Sequence, residues 1–154
     1  MLCKSCKKKI NKTLIDLGSA PLSNNLLYKI EESENWYPLK VMICSNCWLA
    51  QTNHNLTSSE VFNKNYPYLS SVSKSLLINS KKYADDVYDK FLKNKKNNKI
   101  LEIASNDGYL LQYFKNKKFI SKIVGIEPTP EAAKISRKKK IQTLEVFFEK
   151  KEAK

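Results

Sequence analysis

The stretch Leu101-Glu102-Ile103-Ala104-Ser105-Asn106-Asp107-Gly108 decides how this chain is read. An apolar run from Lys99 to Ala104 has the pattern of a buried strand, and it breaks into Asn-Asp-Gly, residues that favour tight turns. Asn106 and Asp107 tolerate such a backbone, and Gly108 lets the loop approach a ligand closely. Downstream, Tyr109 to Lys115 reads as a short helix and Lys122 to Glu127 as a second strand. Pro130 to Lys139 reads as a helix with proline in its first turn, and Ile141 to Leu144 as a third strand. This alternation predicts an α/β fold, a parallel sheet with helical crossovers, represented here by its first three strands. Such sheets normally have more strands. Another helix is expected to begin as the chain reaches Lys154, so the domain is expected to be incomplete.

In doubly wound sheets, ligands bind beyond the carboxyl ends of the strands. Glu127 closes the second strand in Val124-Gly125-Ile126-Glu127-Pro128, where an acid can accept both ribose hydroxyls of an adenosyl group. Pro128 stops the strand there. An Asn-Asp-Gly turn by itself fits an ordinary strand-to-helix connection equally well. The pairing of Glu102 beside the first loop with Glu127 at the second strand end favours a nucleoside ligand. No GxGxxG is present, which disfavours a dinucleotide.

Working toward the N-terminus, Lys93 to Lys99 is a polar loop. A helix is expected from Ser73 to about Leu92, with Leu76, Leu77, Tyr83, Ala84, Val87 and Phe91 on one broad face. Thr57-Ser58-Ser59-Glu60 resembles a capping box opening a short helix. Before it stand two CxxC knuckles, Cys3-Lys4-Ser5-Cys6 and Cys44-Ser45-Asn46-Cys47, which hold every cysteine of the chain. Strand-like runs (Lys12 to Leu17, Leu39 to Ile43) lie between them, with turn signals at Gly18, Pro21 and Pro38. Each knuckle aims two thiolates at one point, so together they predict a closed tetrahedral site for structural Zn2+, with an iron–sulfur cluster the main rival. A redox CxxC would follow a strand, open a helix and need only one pair. His54, the sole histidine, has no acid or nucleophile partner in sight and is expected to be a loop residue. The expected domains are 1–51, a four-cysteine zinc-ribbon-like domain; 52–98, an aromatic segment and connecting helix; and 99–154, a Rossmann-like sheet.

Eight Tyr and six Phe among 154 residues argue against disorder. No run approaches the ~20 apolar residues of a membrane span, and Met1 to Cys6 has no apolar signal-peptide core. A cytoplasmic, reducing setting is therefore expected, which favours metal over disulfides. The net charge of +13 invites a nucleic-acid reading, but Arg137 is the only arginine among 28 basic residues. Base and phosphate readers lean on arginine's fork. The lysines are scattered among Asn and Ile, so a solvated basic surface without a specific nucleic-acid partner is favoured.

These residues, taken in order, resemble a known family. CxxC, Asp16-Leu17-Gly18, Pro21-Leu22-Ser23-Asn24, Tyr37-Pro38-Leu39 and Cys44-x-x-Cys47 with Leu49-Ala50-Gln51 are similar to the zinc domain of the sugar C-methyltransferases. Phe62 to Ser73 is similar to that family's Tyr-x-Tyr-x-Ser-Ser-x-Ser segment. Leu101 to Leu111 resembles its cofactor loop, in which Ala104 replaces the usual glycine. Gly125-Ile126-Glu127-Pro128 and Ile141 to Phe148 match its second strand end and third strand. The resemblance implies S-adenosylmethionine as cofactor and a nucleotide-linked 4-keto-deoxysugar as substrate, methylated at C3, in deoxysugar biosynthesis. It implies that Glu102, Asn106, Gly108 and Glu127 hold the cofactor, with Ser105, Asp107 and Pro128 beside them. Tyr68, with Tyr66 and Ser71, would approach cofactor and substrate, or else form a packed aromatic loop. Family members are more than twice this length, so the catalytic base is expected beyond Lys154, leaving this chain inactive alone. Two other readings stand beside it: a basic zinc-ribbon nucleic-acid module, and a non-catalytic remnant.

Overall fold

The computed structural model describes residues 1–53 and 56–153, so His54 lies outside the described residues. The chain forms two compact units, Met1–Val61 and Phe62–Lys154. No helix among the described residues is long and apolar enough to cross a membrane.

The first unit is an antiparallel sheet of β1 (Lys12–Pro21), β2 (Trp36–Ile43) and β3 (Ala50–Thr52), in that order. Both long strands outrun the sequence pattern, passing Gly18 and Pro38. Bulges between Thr13 and Ile15 and between Asp16 and Ser19 absorb the irregularity. Asp16 Oδ1 accepts the Gly18 N–H at 3.1 Å and ion-pairs with Lys40 at 2.6 Å. Pro38 is tolerated because β3 pairs only with Val41–Ile43, leaving that side of β2 without a ladder partner at Pro38. β3 is a strand that sequence pattern did not predict, because three residues carry no period. Its Gln51 takes the Lys4 N–H on Oε1 at 2.9 Å, tying β3 to the first cysteine turn. The unit closes with α1 (Ser58–Val61), opened by a true capping box: Glu60 N–H reaches Thr57 Oγ1 at 3.3 Å, and Thr57 N–H reaches Glu60 Oε2 at 2.7 Å.

The second unit carries α2 (Lys74–Val87), β4 (Asn98–Ile103), β5 (Ile120–Ile126), α3 (Pro130–Lys138) and β6 (Gln142–Leu144). The three strands form the expected parallel sheet in the order β4-β5-β6. Ser73 caps α2 by accepting the Leu76 N–H at 3.2 Å. The helix then continues through a π-helical turn, Tyr88–Leu92. Its buried stripe centres on Ser80 and Ala84, while Tyr83 and Phe91, expected inside, are exposed. Tyr83 sits at the margin of the 80/84 row, and the wider π turn shifts the phase at Phe91. The helix expected at Tyr109 to Lys115 is only a 3-10 turn, Leu111–Tyr113, anchored by the fully buried Leu111.

Nor is β4 buried on both faces. Register aligns Glu102, Gly125 and Thr143 on one face, the face that Ser105, Leu111 and α3 cover. A Cβ on Gly125 would lie 2.3 Å from Ser105 Oγ, and Ser136 Oγ meets Thr143 Oγ1 at 2.8 Å. On the other face Leu101 and Ile103 are about half exposed, at 55% and 51%. After β6 the expected helix does not form. Residues 150–153 make a turn in which the Glu152 N–H reaches Glu149 O at 3.1 Å and the Glu152 carboxylate takes the Glu149 N–H at 3.1 Å. One such turn does not repay helix nucleation.

Ala104 adopts φ +59° with its methyl exposed. A left-handed backbone costs a residue with a Cβ about 1–2 kcal/mol, and glycine's unfolded-state entropy takes back about 0.5–1 kcal/mol. Ala104→Gly is therefore expected to raise stability by about 0.5–1 kcal/mol. A urea melt checks it, and a lower midpoint for the variant would show that the methyl packs.

Candidate functional site

The two cysteine turns are built alike. In the first, Cys3 N–H reaches Lys8 O at 2.9 Å, and Lys7 N–H reaches Cys3 O at 3.1 Å; in the second, Cys44 N–H reaches Leu49 O at 3.0 Å, and Trp48 N–H reaches Cys44 O at 2.9 Å. Lys7 and Trp48, each following the second cysteine, both take φ +61°. Two equivalent turns face each other and bring all four sulfurs within 4.8 Å of one another. Cys3 Sγ lies 3.5 Å from Cys47 Sγ, and Cys6 Sγ 3.6 Å from Cys44 Sγ. Four sulfurs about 2.3 Å from a central ion in a tetrahedron stand about 3.8 Å apart. The donor set therefore fits zinc with no open position.

Protonation is uneven across the cluster. The Lys8 backbone N–H, ahead of the neighbouring thiols, draws the Cys6 thiol down to about 6. At Cys47 the Leu49 N–H pulls downward, but the hydrogen bond its thiol donates to Cys3, burial and the other cysteines outweigh it and push the thiol up to about 11. Clustered thiolates repel, and a dication relieves that repulsion. The surrounding core is small, holding Cys3, Ile10, Met42 and Cys44, with Cys6 and Leu49 packed against it.

In the second unit the loop after β4 turns on three residues with positive φ: Ala104, Asn106 (+46°) and Gly108 (+75°). Gly108 has no room for a side chain, since a Cβ would lie 2.7 Å from Ile141 Cδ1 and 2.8 Å from Ser136 Oγ. The Ser105 N–H reaches Ile126 O at 3.0 Å, fastening the loop to the end of β5. Asn106 works at both of its ends. Its backbone N–H goes to Glu127 Oε2 at 2.9 Å. Its side chain accepts the Ser70 N–H on Oδ1 at 2.8 Å and donates from Nδ2 to Tyr68 O at 3.2 Å. The aromatic segment is thereby fastened to the loop through its backbone.

Of the tyrosines singled out in that segment, Tyr68 is brought to the loop with its ring exposed. Tyr66 packs edge-on against Phe62, with ring centres 5.1 Å apart. Ser71 is half-buried beside Ser70, which itself is buried. Pro128 is half-buried between Glu127 and Thr129.

Three buried acceptors cluster by sequence around this loop without a hydrogen-bond partner among the described residues: Glu102 Oε2, Ser105 Oγ and Asp107 Oδ1. Asp107 is fully buried, and its other oxygen lies 3.3 Å from Lys139 Nζ. Burial raises the Glu102 carboxyl to about 7. Tyr109 belongs to the same group: burial first, then the charges of Glu102, Tyr68 and Asp107, push its phenol upward. Unsatisfied buried acceptors are costly, and they fit a polar ligand with a cationic amino group and hydroxyls, as S-adenosylmethionine has. Tyr109, Thr129 and Lys139 were not singled out from sequence. Only Tyr109, next to Gly108, had a signal there, its place beside the loop.

Two expectations follow. Purified protein should be colourless and carry one zinc per chain. Stripping that metal with a strong chelator should speed amide exchange across residues 1–53 while leaving the amides of β4 and β5 protected. A brown chromophore would reassign the metal to an iron–sulfur cluster. For Glu102, the folded carboxyl titrates near 7 against 4.5 for its unperturbed value. Between those values the unfolded chain ionises first, so this group lowers stability as pH rises through the window and levels off above it. Glu102→Gln should match wild type near pH 4 and exceed it at pH 8 in urea melts. Parallel profiles for the two proteins would discard that assignment.

Residues 3–62 match a family model described as "Putative zinc binding domain". Over 148 residues, 95% of this chain, the sequence is 25% identical to the C-methyltransferase NovU of Streptomyces niveus. The aligned region is 34% of that relative, so the chain spans about a third of its length. Among solved structures, the plantazolicin methyltransferase BamL, in complex with a triazolic desmethylPZN analog and SAH, aligns with 46% of this chain and 27% of its own. That match has 20% identity and a TM-score of 0.35, too slight a likeness to add to the fold described above. In its cysteine-bearing N-terminal unit this chain is thus similar to a zinc-binding domain, and along nearly its whole length to part of a C-methyltransferase.

Proposed function

We propose that this chain is the zinc-stapled, cofactor-holding part of a methyltransferase that uses S-adenosylmethionine to methylate C3 of a nucleotide-linked 4-keto-deoxysugar in the cytoplasm. The observation that carries the reading is the left-handed loop after β4, with Glu102 Oε2, Ser105 Oγ and Asp107 Oδ1 lacking hydrogen-bond partners among the described residues and the Glu127 carboxylate beside it. When bound, the cofactor supplies an electrophilic methyl group on a sulfonium centre.

The chain's own residues then have separable tasks. Glu127, at the end of β5, faces the ribose hydroxyls. Glu102 and Asp107 offer acceptors to the ammonium group, and a cation there favours the ionised form of Glu102. Gly108 keeps the backbone close, and Pro128 ends the strand. Asn106 acts chiefly as a positioning residue, since its side chain is spent on Tyr68 and Ser70. On this reading the Tyr68 ring, with Tyr66 before it and Ser71 after it in the segment, borders cofactor and substrate.

C-methylation beside a ketone needs a base to remove the C3 proton and a donor to steady the enolate oxygen. On this reading the base belongs to sequence that the aligned third of the relative does not include, and the chain alone binds cofactor without turning over. The zinc is structural and takes no part in the chemistry.

Titration calorimetry with S-adenosylhomocysteine tests the cofactor assignment. Wild-type chain should bind one equivalent, and Glu127→Ala should weaken binding by about tenfold or more, the loss of hydrogen bonds to a charged group. Absence of heat with wild-type chain at millimolar ligand would remove the proposal.

A further inference from the structure

Glu127 is 4% exposed, and its carboxylate is almost fully engaged. A carboxylate offers about four lone-pair sites, two on each oxygen. Oε1 accepts the Thr129 N–H at 2.8 Å and the Thr129 hydroxyl at 2.5 Å, so both of its sites are taken. Oε2 accepts the Asn106 N–H at 2.9 Å and retains one site. A vicinal diol clamped across a carboxylate needs one site on each oxygen. Oε1 has none.

Thr129 is also the N-cap of α3, a position where threonine normally accepts a hydrogen bond from the first helical turn. Here it makes no side-chain cap bond. Its hydroxyl turns away to Glu127, and the residue is only 2% exposed. Near the start of α3, the N–H groups of Glu131 and Ala132 have no intrahelical acceptor. The hydroxyl thus has two employments within reach of one χ1 rotation: donating to Glu127, or accepting from the start of α3.

We propose that Thr129 is a specificity-determining residue for the diol of the ligand, its hydroxyl occupying the site on Glu127 Oε1 that one ribose hydroxyl requires. Binding through both hydroxyls displaces it, and the displaced hydroxyl caps α3, which offsets part of the loss. Affinity for an adenosyl ligand is therefore set below what Glu127 would give unopposed. This rests on the cofactor reading above, and the two can fail separately.

The experiment compares wild type, Thr129→Ser, Thr129→Val and Thr129→Ala by calorimetry with S-adenosylhomocysteine and with its 2′,3′-dideoxy analogue. Thr129→Val and Thr129→Ala should bind S-adenosylhomocysteine about fivefold tighter, the worth of one hydrogen bond. Thr129→Ser should match wild type, and the dideoxy analogue should show no gain in any variant. If either hydroxyl-free variant binds at wild-type strength or weaker, the hydroxyl merely orients Glu127 and the proposal fails. An equal gain for the dideoxy analogue would trace the effect to loosened structure and overturn it too. Binding absent already in wild type removes the cofactor reading, and this inference with it. Should Thr129→Val not fold, Thr129→Ala decides the case.

Discussion

One residue, Asn106, connects three parts of the second unit that are far apart in sequence. Its backbone N–H ends on the Glu127 carboxylate, 21 residues away. Its side-chain amide bonds the backbone of Tyr68 and Ser70, 38 and 36 residues away. Asparagine suits this place for two reasons. It tolerates the left-handed backbone at φ +46°, and its amide offers a donor and an acceptor side by side. An aspartate could accept the Ser70 N–H but would set an anion against the Tyr68 carbonyl. The loop after β4, the end of β5 and the aromatic segment therefore keep their places together.

The packing behind this loop leaves little freedom. Gly125 and Gly108 sit where a single added carbon meets Ser105 on one side and Ile141 and Ser136 on the other. Close approach holds the loop against the helix-covered face of the sheet, with Glu102 on that same face. Its carboxyl is raised to about 7 by burial, so this acid is poised between forms at neutral pH. Ser105 Oγ and Asp107 Oδ1, in fully buried residues, add acceptors with no hydrogen-bond partner among the described residues. Functional sites are where a fold keeps such unsatisfied groups.

The zinc unit meets a different constraint. Its buried apolar residues are few, and Leu14, Ile15, Leu17 and Trp36 along its strands are largely exposed. A unit of this size with so small a core needs a staple. Two cysteine turns of the same geometry provide one, and metal binding becomes part of the folding free energy. Sequence spacing was enough to anticipate this. CxxC is local chemistry, and a local turn dictates where both thiolates point.

The same distinction between local and distant runs through the chain. The capping box at Thr57 and Glu60, the cap at Ser73, the proline opening α3 and the three parallel strands are encoded within a few residues each. They were legible without coordinates, as was the placement of Glu127 at a strand end. The extent of α2's buried stripe was not, because a π turn changed the phase at Phe91. The exposure of Leu101 and Ile103 was not, because burial of a strand face depends on what packs there. The 3-10 turn at Leu111 and the turn at 150–153 follow from the cost of nucleating short helices, which residue pattern understates. Above all, sequence alone singled out the groups to which the proposal assigns the chemistry: four thiols and two acids at strand ends. Only the tertiary structure decided how those groups are spent. It gave Asn106 to the aromatic segment and filled Glu127 Oε1 with Thr129, since hydrogen-bond partners are chosen by distance in space and not by spacing along the chain.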